Sequence, residues 1–366
     1  MEWVFRYVLP SLMITTAFES KYVIIAPFDD PRTQQAISRQ SNATRLLTGF
    51  INRRSKQIKP AALLVLSNAP ESAASVEALV AFRNLCAIST LLRHWAHSTN
   101  EWRPAMLFSD HFDFYPYTVS ENNRIICINP DISSYGSEDA PFIGTASPLL
   151  ALMPGPVLCD DLLFRTLLRQ WEKKFVSPCA TSKYTSILFR SLELAYQALS
   201  IPIKNQASIH DFGVSVACWV SAFEILVHLK HAEANSRIVR QKLLTAEYPL
   251  SEKKLSRHYI TKVGKKQNKE KLPFIQKTYE DIYRVRNDFM HGNKVTAQTL
   301  FPFGTKKPAI IRLAPTIYRI ALWHYLHPHF YKRDRYVTDF IWLRDYEVYE
   351  NSLMQVFSSN TVSAES

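Results

Sequence analysis

The chain has 366 residues and a formal net charge of +12 at pH 7, with 47% hydrophobic and 21% charged residues. This composition is that of a globular protein long enough for two domains of ordinary size. Only 8 residues are glycine, and neither G-x-G-x-x-G nor G-x-x-x-x-G-K-[ST] occurs, which argues against folds that bind phosphate on glycine-rich loops.

The positive charge lies almost entirely in the second half of the chain. Residues 1–180 contain 17 basic and 16 acidic residues, whereas residues 181–366 contain 27 and 16. A basic half beside a neutral half is typical of a protein with a polyanionic partner, most often nucleic acid or a membrane surface. A solubilising surface explains the same count equally well.

Cysteine usage and the apolar segments indicate the compartment. The five cysteines form no C-x-x-C pair, so we expect no cysteine zinc site, and an odd number without a secretory signal favours a reducing, cytoplasmic setting. The apolar N-terminus is interrupted by Glu2, Arg6 and Pro10 and is expected to be a strand or core segment. Residues 146–164 are broken by three prolines, and we expect no membrane span.

The first half predicts short strands around one long helix. Apolar runs bounded by proline and polar residues indicate strands at Tyr22–Pro27, Ala62–Leu66, Ala105–Phe108 and Arg124–Ile128. Helical periodicity covers Ser75–Trp95. We therefore expect a mixed α/β domain over residues 1–160, with a sensor or recognition role as the candidate function, and a linking helix over 161–180.

The second half predicts helices. They are expected at Lys183–Leu199, from a cap at Asp211 to about Lys230, at Asn235–Thr245, at Ile275–His291 and at Pro315–Tyr325. The expected fold class is α+β, in which an all-α helical bundle over residues 181–330 follows the mixed domain. Residues 331–366 form a C-terminal extension with a frayed tail.

The segment IYRVRNDFMHGN, residues 282–293, contains the candidate catalytic residues. Asn287 and His291 are four residues apart on the predicted helix and share a face, and Arg286 is adjacent. The helix dipole favours a protonated His291 at the C-terminus, and an arginine can stabilise charge on a pentacoordinate phosphorane. Because RNA supplies its own 2′-hydroxyl nucleophile, such a pair needs no metal or cofactor. The alternative is ordinary helix punctuation before Gly292.

Glu224 is the only acid in the apolar run from Phe212 to Leu229. A buried carboxylate requires a partner, and Arg286 is the candidate if the two helices pack together. Glu224 then either orients the arginine for function or forms a structural salt bridge. The spacing of Glu224, His228 and His231 also suggests a metal site, but two histidines without a cysteine give this little weight, and we expect none.

This arrangement resembles the signature of the HEPN superfamily, in which an arginine, a polar residue, a few variable residues and a histidine lie on a late helix of a bundle. The signature here is R-N-D-F-M-H, and the apolar helix bearing Glu224 is similar to the second helix of Apea-like HEPN domains. The resemblance covers roughly residues 181–330. It implies that Arg286, Asn287 and His291 are catalytic, with Glu224 in support.

The family resemblance further implies a metal-independent endoribonuclease whose homodimer brings two motifs into one cleft. Similar domains are frequent in toxin–antitoxin and antiviral systems, where an antitoxin or regulatory partner is expected, and some members are inactive binding modules. The expected substrate is RNA, single-stranded or tRNA-like. The alternative function is a non-catalytic RNA- or nucleotide-binding scaffold, and a third reading is a membrane-surface protein.

A lysine-rich segment, Ser251–Lys277, precedes the motif helix and is expected to be a mobile loop. It either contacts RNA phosphates beside the site or is simply solvated. Its candidate RNA-binding residues are Lys253, Lys254, Arg257, Lys262, Lys265, Lys266, Lys269 and Lys271. Nearby aromatic side chains either stack on unpaired bases or fill the core; they are Tyr259, Phe274, Tyr279 and Tyr283.

In the first half, the motif HFDFYPY at residues 111–117 mixes a histidine and an aspartate with aromatic residues. It either lines a recognition pocket or forms a buried strand with a turn at Pro116, and the buried strand is the favoured interpretation.

Overall fold

A computed structural model gives the fold. It describes residues 2–51, 56–98, 111–120, 122–128, 159–177, 182–201, 209–228, 235–245, 255, 257–263, 268–304, 307–327 and 340–357. The chain is a mixed α/β protein, rich in helix and with small sheets. It divides into two compact units, the first made of Met1–Ala87, Leu107–Leu158 and Leu167–Thr181, and the second of Ile88–Met106, Cys159–Thr166 and Ser182–Ser366.

A four-stranded antiparallel sheet organises the first unit. Its strands are β1 (Trp3–Leu9), β2 (Phe18–Glu19), β3 (Val23–Ala26) and β4 (Ala61–Leu66), in the order β1-β4-β3-β2. Every residue of β3 and β4 is buried, which explains why these strands are apolar throughout rather than alternating. The strands predicted at the N-terminus, at Tyr22–Pro27 and at Ala62–Leu66 are therefore confirmed.

Short helices and a hairpin complete this unit. The helices are α1 (Pro31–Ser38), α2 (Ser41–Thr48) and α3 (Glu71–Ala74), and the hairpin strands are β5 (Tyr117–Val119) and β6 (Ile125–Cys127). Asp30 caps α1 by accepting a hydrogen bond from the Arg32 backbone N–H, and Pro31 occupies the first turn. The strand predicted around Ile125 is confirmed, whereas that at Ala105–Phe108 lies outside the described residues.

Two long helices contribute residues to both units. They are α4 (Val76–Ser98) and α5 (Asp161–Phe175). Within the first unit, the Trp171 indole N–H donates to the Ala78 carbonyl at 2.9 Å, and its ring lies 5.4 Å from that of Phe82. The predicted boundary at residue 160 therefore differs from the observed division, which assigns residues 88–106 to the second unit.

The second unit is mainly helical. Its remaining helices are α6 (Lys183–Ser200), α7 (Ile209–Val227), α8 (Ser236–Leu243), α9 (Phe274–Met290), α10 (Ala297–Leu300), α11 (Ile310–Leu326) and α12 (Phe340–Met354). Helix α7 packs against α6, α9 and α11. At the centre, the Phe223 ring lies edge-on to Tyr279 at 4.9 Å and to Tyr318 at 5.4 Å. Tyr349 and Leu353 of α12 are fully buried, so the predicted C-terminal extension contributes to the core of this unit.

Helix α7 is also the one helix among the described residues whose length and composition would allow a membrane span. The window His210–Val227 has a mean hydropathy of 1.3, and half of it is buried in the protein. A core helix of a soluble protein has the same properties, and the packing against three neighbouring helices is that of a core helix.

The expected all-α bundle and mobile basic loop need correction. Strands β7 (His258–Val263) and β8 (Asn268–Pro273) pair antiparallel within the lysine-rich segment. In β7 the exposed Ile260 is followed by the buried Thr261, whereas in β8 residues 268–271 are all exposed and Leu272 is buried. The lysine-rich sequence of β8 has no alternation of apolar and polar residues from which a strand could be predicted.

Two predicted helix starts also differ. Helix α7 begins at Ile209, so Asp211 lies within the first turn, where an acid is favoured by the dipole, rather than at the cap. Helix α11 begins at Ile310, which places Pro315 in its interior instead of its first turn. Burial of Ile310 and Leu313 offsets the cost of a proline that cannot donate a backbone hydrogen bond.

Candidate functional site

The motif lies at the C-terminal end of α9, where the chain stops in a well-defined cap. His291 is the capping residue and Gly292 follows with φ +69°. The Gly292 N–H donates to the Phe289 carbonyl and the Asn293 N–H to the Asp288 carbonyl, at 3.2 and 2.8 Å, which is the Schellman pattern. The left-handed stop expected at Gly292 is therefore present, and it fixes the backbone at the candidate histidine.

Helix α7 brings Glu224 to Arg286. The Arg286 Nη2 and Glu224 Oε2 atoms lie 3.7 Å apart, and 26% and 17% of the respective side chains are exposed. The other guanidinium nitrogen, Nη1, donates to Asn287 Oδ1 at 2.9 Å. The predicted pairing of Glu224 with Arg286 is present, and three of the four candidate side chains meet at one partly exposed place on the surface.

The carboxyl of Glu224 is in an environment that opposes its charge. Burial raises its pKa above the ordinary range, and the positive charge of Arg286 offsets part of that effect. The long ion pair is consistent with this balance, because at 3.7 Å it supplies Coulomb attraction without a close hydrogen bond. The guanidinium thus has one firm partner, Asn287, and one loose partner, Glu224.

His291 is exposed, unlike the other motif residues. Among the residues that the structure describes, its ring makes no hydrogen bond or ion pair, and its backbone N–H donates to the Asn287 carbonyl at 3.0 Å. The cap therefore fixes the main chain while the imidazole stays available to solvent. A histidine in this position can accept or donate a proton to a bound molecule.

Two tyrosines precede the arginine on α9, and Tyr283 contacts it. The guanidinium carbon of Arg286 lies 5.6 Å from the centre of the Tyr283 ring, which is the range of a cation–π contact. Tyr279 is completely buried, its hydroxyl has no hydrogen-bond partner among the described residues, and burial followed by the nearby Glu224 charge raises its pKa. Tyr279 is therefore a core residue rather than a base-stacking one.

Close packing of α7 on α9 fixes the end of the motif helix. A Cβ atom added at Gly213 would lie 2.4 Å from Phe289 Cδ1 and 2.7 Å from Phe289 Cγ. Only glycine allows this approach, and Phe289 lies between Asn287 and His291 in the chain. No sequence prediction assigned this role to Gly213, although a glycine inside an apolar helix is a signal of close packing.

The candidate RNA-binding residues are only partly described. Lys253, Lys254, Lys265 and Lys266 lie outside the described residues, and Lys262 is placed on β7 without a described side chain. Arg257, Lys269 and Lys271 are described and exposed. The two described lysines lie on the hairpin that leads directly into the N-terminal end of α9, whereas the motif lies at the opposite end of that helix.

A buried polar cluster in the second unit was also missed by the sequence analysis. Arg319 donates to Asp160 Oδ2 at 3.0 Å, and the Tyr349 hydroxyl donates to the same oxygen at 2.7 Å. Asp160 Oδ1 accepts from the Leu163 N–H and so caps α5. Although burial disfavours the charge, Arg319 and these donors hold the pKa of Asp160 below its ordinary value. The available signal was an arginine at position 319, inside the most apolar part of helix α11.

The other sequence candidates have structural surroundings. His111 is buried, with Nδ1 3.1 Å from the Ser11 carbonyl, and Tyr115 donates its backbone N–H to Val8. The strand starts only at Tyr117, and Asp113 is exposed while His111, Phe112 and Tyr115 are buried. The expected buried strand over 111–117 is therefore only partly buried and mostly not a strand. Within the described ranges, no group of three or more His, Cys, Asp or Glu side chains is arranged to hold a metal ion, and His231 lies outside them.

Comparison with known proteins identifies no relative. No family model, no curated protein and no solved structure matches the chain.

Proposed function

We propose that the chain is a metal-independent endoribonuclease of the HEPN type. The observation that carries the proposal is the grouping at the end of α9, where a partly exposed Arg286 is held by Asn287 and Glu224 and is followed by the exposed, uncommitted His291. A fixed guanidinium and an available imidazole near the same helix end can stabilise charge and transfer a proton, the two roles that cleavage by an RNA 2′-hydroxyl uses.

In the proposed reaction, the 2′-oxygen bonds to the adjacent phosphorus and loses its proton to a base. The bond from phosphorus to the 5′-oxygen breaks, and that oxygen takes a proton from an acid. The products are a 2′,3′-cyclic phosphate and a 5′-hydroxyl. His291 is the acid or base, Arg286 stabilises the charge on the phosphorane, and Asn287 positions the arginine or the substrate.

A homodimer completes this mechanism. One imidazole per chain supplies one proton-transfer group, whereas cleavage uses both a base and an acid, so two copies of His291 in one cleft would divide these roles. The proposal extends to a soluble, cytoplasmic protein with an RNA partner that is single-stranded or tRNA-like. It also extends to an antitoxin or regulatory partner in toxin–antitoxin or antiviral defence.

The test is cleavage of a single-stranded RNA oligonucleotide in EDTA by the full chain. We expect wild type to yield 2′,3′-cyclic phosphate ends and His291→Ala and Arg286→Ala to lose at least about a hundred-fold in rate, since a general acid–base contributes roughly 10²–10⁴-fold. His228→Ala, which removes an exposed histidine at the end of α7, is the matched control. Equal rates in all variants would refute the mechanism, and a DNA strand of the same sequence should stay intact.

A second candidate function is an RNA- or nucleotide-binding module without catalysis. The observation that favours it is the exposed pair Lys269 and Lys271, which can bind phosphates without taking part in cleavage. Salt-dependent RNA binding by wild type, without any cyclic phosphate product, would support this function instead.

A further inference from the structure

The hairpin β7–β8 separates its charges between two faces. Cross-strand partners share a face, and the register pairs Ile260 with Lys271 and Lys262 with Lys269. Lys269 and Lys271 are exposed. Ile260 lies on the same face of the hairpin and is 67% exposed. Glu270 is the only acid in the two strands. It lies on the opposite face of the hairpin, together with the buried Leu272. One face of the hairpin is thus basic with an exposed aliphatic side chain, and it carries no acid.

Arg240 of α8 contacts both the hairpin and the motif helix α9. Its Nη1 donates to Glu270 Oε2 at 3.0 Å, and its Nε lies 3.2 Å from Glu280 Oε2 on α9. Arg240 and Glu280 are both buried, whereas 44% of the Glu270 side chain is exposed. One guanidinium therefore connects a residue of the hairpin with a residue of the motif helix.

The dimensions of the two elements give the direction of the strand. Glu270 lies three residues before Pro273, about 10 Å along a strand, and Glu280 lies six residues after Phe274, about 9 Å along a helix. Since the two carboxylates meet at one guanidinium, β8 runs beside α9 and not away from it. Along β8, Lys269 therefore lies closer than Lys271 to the end of α9 that bears Arg286.

From this geometry we infer that the exposed face of the hairpin, defined by Ile260, Lys269 and Lys271, binds the backbone of single-stranded RNA and guides it towards the motif end of α9. The inference rests on the proposed function for its destination. The lysines supply the charge complementarity, and neighbouring positions on one strand face are about 7 Å apart in a straight row, which suits one extended chain of phosphates. Ile260 can make an apolar contact with an unpaired base of a single strand. In a duplex the bases remain stacked and are not available for this contact.

Binding is measured separately from cleavage. The protein is the full chain with His291→Ala, so that the RNA remains intact, and the probe is a fluorescein-labelled oligouridylate of about 12 nucleotides, within the span of one binding surface. Lys269→Ala/Lys271→Ala should weaken binding about ten-fold at low salt. It should also reduce the slope of log K against log salt by about 1.4, since each single-strand phosphate contact contributes roughly 0.7. Lys183→Ala/Lys242→Ala, an exposed pair on α6 and α8, is the matched control and should leave the slope unchanged.

Two further variants separate the parts of the inference. Ile260→Thr should weaken binding of the single strand several-fold without changing the salt slope, because it removes apolar contact and no charge. Glu270→Ala removes the hairpin side of the Arg240 contact. It should increase hydrogen exchange of the β7 amides and weaken RNA binding, while α9 keeps its protection. Unchanged β7 exchange and unchanged binding would contradict the role of Arg240.

The inference is overturned if the hairpin and control pairs bind the oligonucleotide alike, or if a duplex of the same length binds as tightly. Binding to vesicles containing phosphatidylserine without binding to RNA would instead assign the face to a membrane. Failure of the proposed function has a different signature: the hairpin variants lose RNA binding, yet the chain with His291 produces no cyclic phosphate. Cleavage that persists unchanged when the hairpin lysines are replaced would leave the nuclease proposal standing and refute the guiding face.

Discussion

Replacing Gly213 by alanine tests whether the contact between α7 and α9 positions the motif. The added Cβ would lie 2.4 Å from Phe289 Cδ1 and 2.7 Å from Phe289 Cγ, well inside van der Waals contact. Because Cγ is near the base of the side chain, small movements of the ring tip do not relieve the overlap. Either Phe289 changes rotamer or the two helices separate.

The magnitude follows from two opposing effects. Alanine in place of glycine inside a helix stabilises by about 1 kcal/mol, whereas inserting a methyl group into a close-packed contact costs about 1–3 kcal/mol. We therefore expect Gly213→Ala to lower the free energy of unfolding by about 0–2 kcal/mol. We expect a larger effect on the rate of RNA cleavage, because Phe289 lies between Asn287 and His291 in the chain.

The assays are urea unfolding and RNA cleavage in EDTA, made on both single variants and on the double variant. Phe289→Leu removes ring atoms from the overlap, so Gly213→Ala should cost less in its presence, with a coupling energy of about 1 kcal/mol. Ala217→Gly, an opposite exchange at a half-buried position of α7, controls for helix propensity. A Gly213→Ala protein that is about 1 kcal/mol more stable, with no coupling to Phe289, would refute the reasoning.

Other predictions concern the ion pairs and the helix cap. Glu224→Gln should change the free energy of unfolding by less than about 1 kcal/mol, because the pair with Arg286 is long and partly exposed. It should nevertheless lower the rate of RNA cleavage. An unchanged rate would assign Glu224 to structure alone. Asp160→Asn should destabilise by about 3–5 kcal/mol in urea unfolding, because the buried Arg319 loses its carboxylate; a cost below 1 kcal/mol would contradict this. The folded-state pKa of Asp160 is below its unfolded value, so its contribution is present above the unfolded pKa and is lost as pH falls through the folded pKa. Below the ordinary pKa of an aspartate, the free energy of unfolding of wild type should therefore fall more steeply with decreasing pH than that of Asp160→Asn. Gly292→Ala meets no atom within 4 Å but should cost about 1 kcal/mol through its positive φ, and asparagine there should cost less; equal stability of all three would refute the strain.

Local patterns predicted much of the fold. Apolar runs identified the strands at residues 23–26 and 61–66, and helical periodicity identified α4, α6 and α9. The stop at Gly292 was readable because glycine alone adopts a positive φ at low cost. The pairing of Glu224 with Arg286 followed from the cost of an isolated buried carboxylate, which demands a cation nearby.

The tertiary structure decided what depends on contacts between distant residues. A lysine-rich sequence resembles a solvated loop until it is known that Thr261 and Leu272 share a buried face, and only the fold shows that Arg240 holds this hairpin to α9. Pro315 lies inside a helix because burial of its neighbours outweighs a local preference. The sequence by itself determined the charge imbalance, the glycine scarcity and the motif at residues 286–292, since these are properties of composition and short spacing. The folded chain decided which charges are buried and paired and which remain exposed for a partner, because burial and pairing are set by packing between elements far apart in the chain.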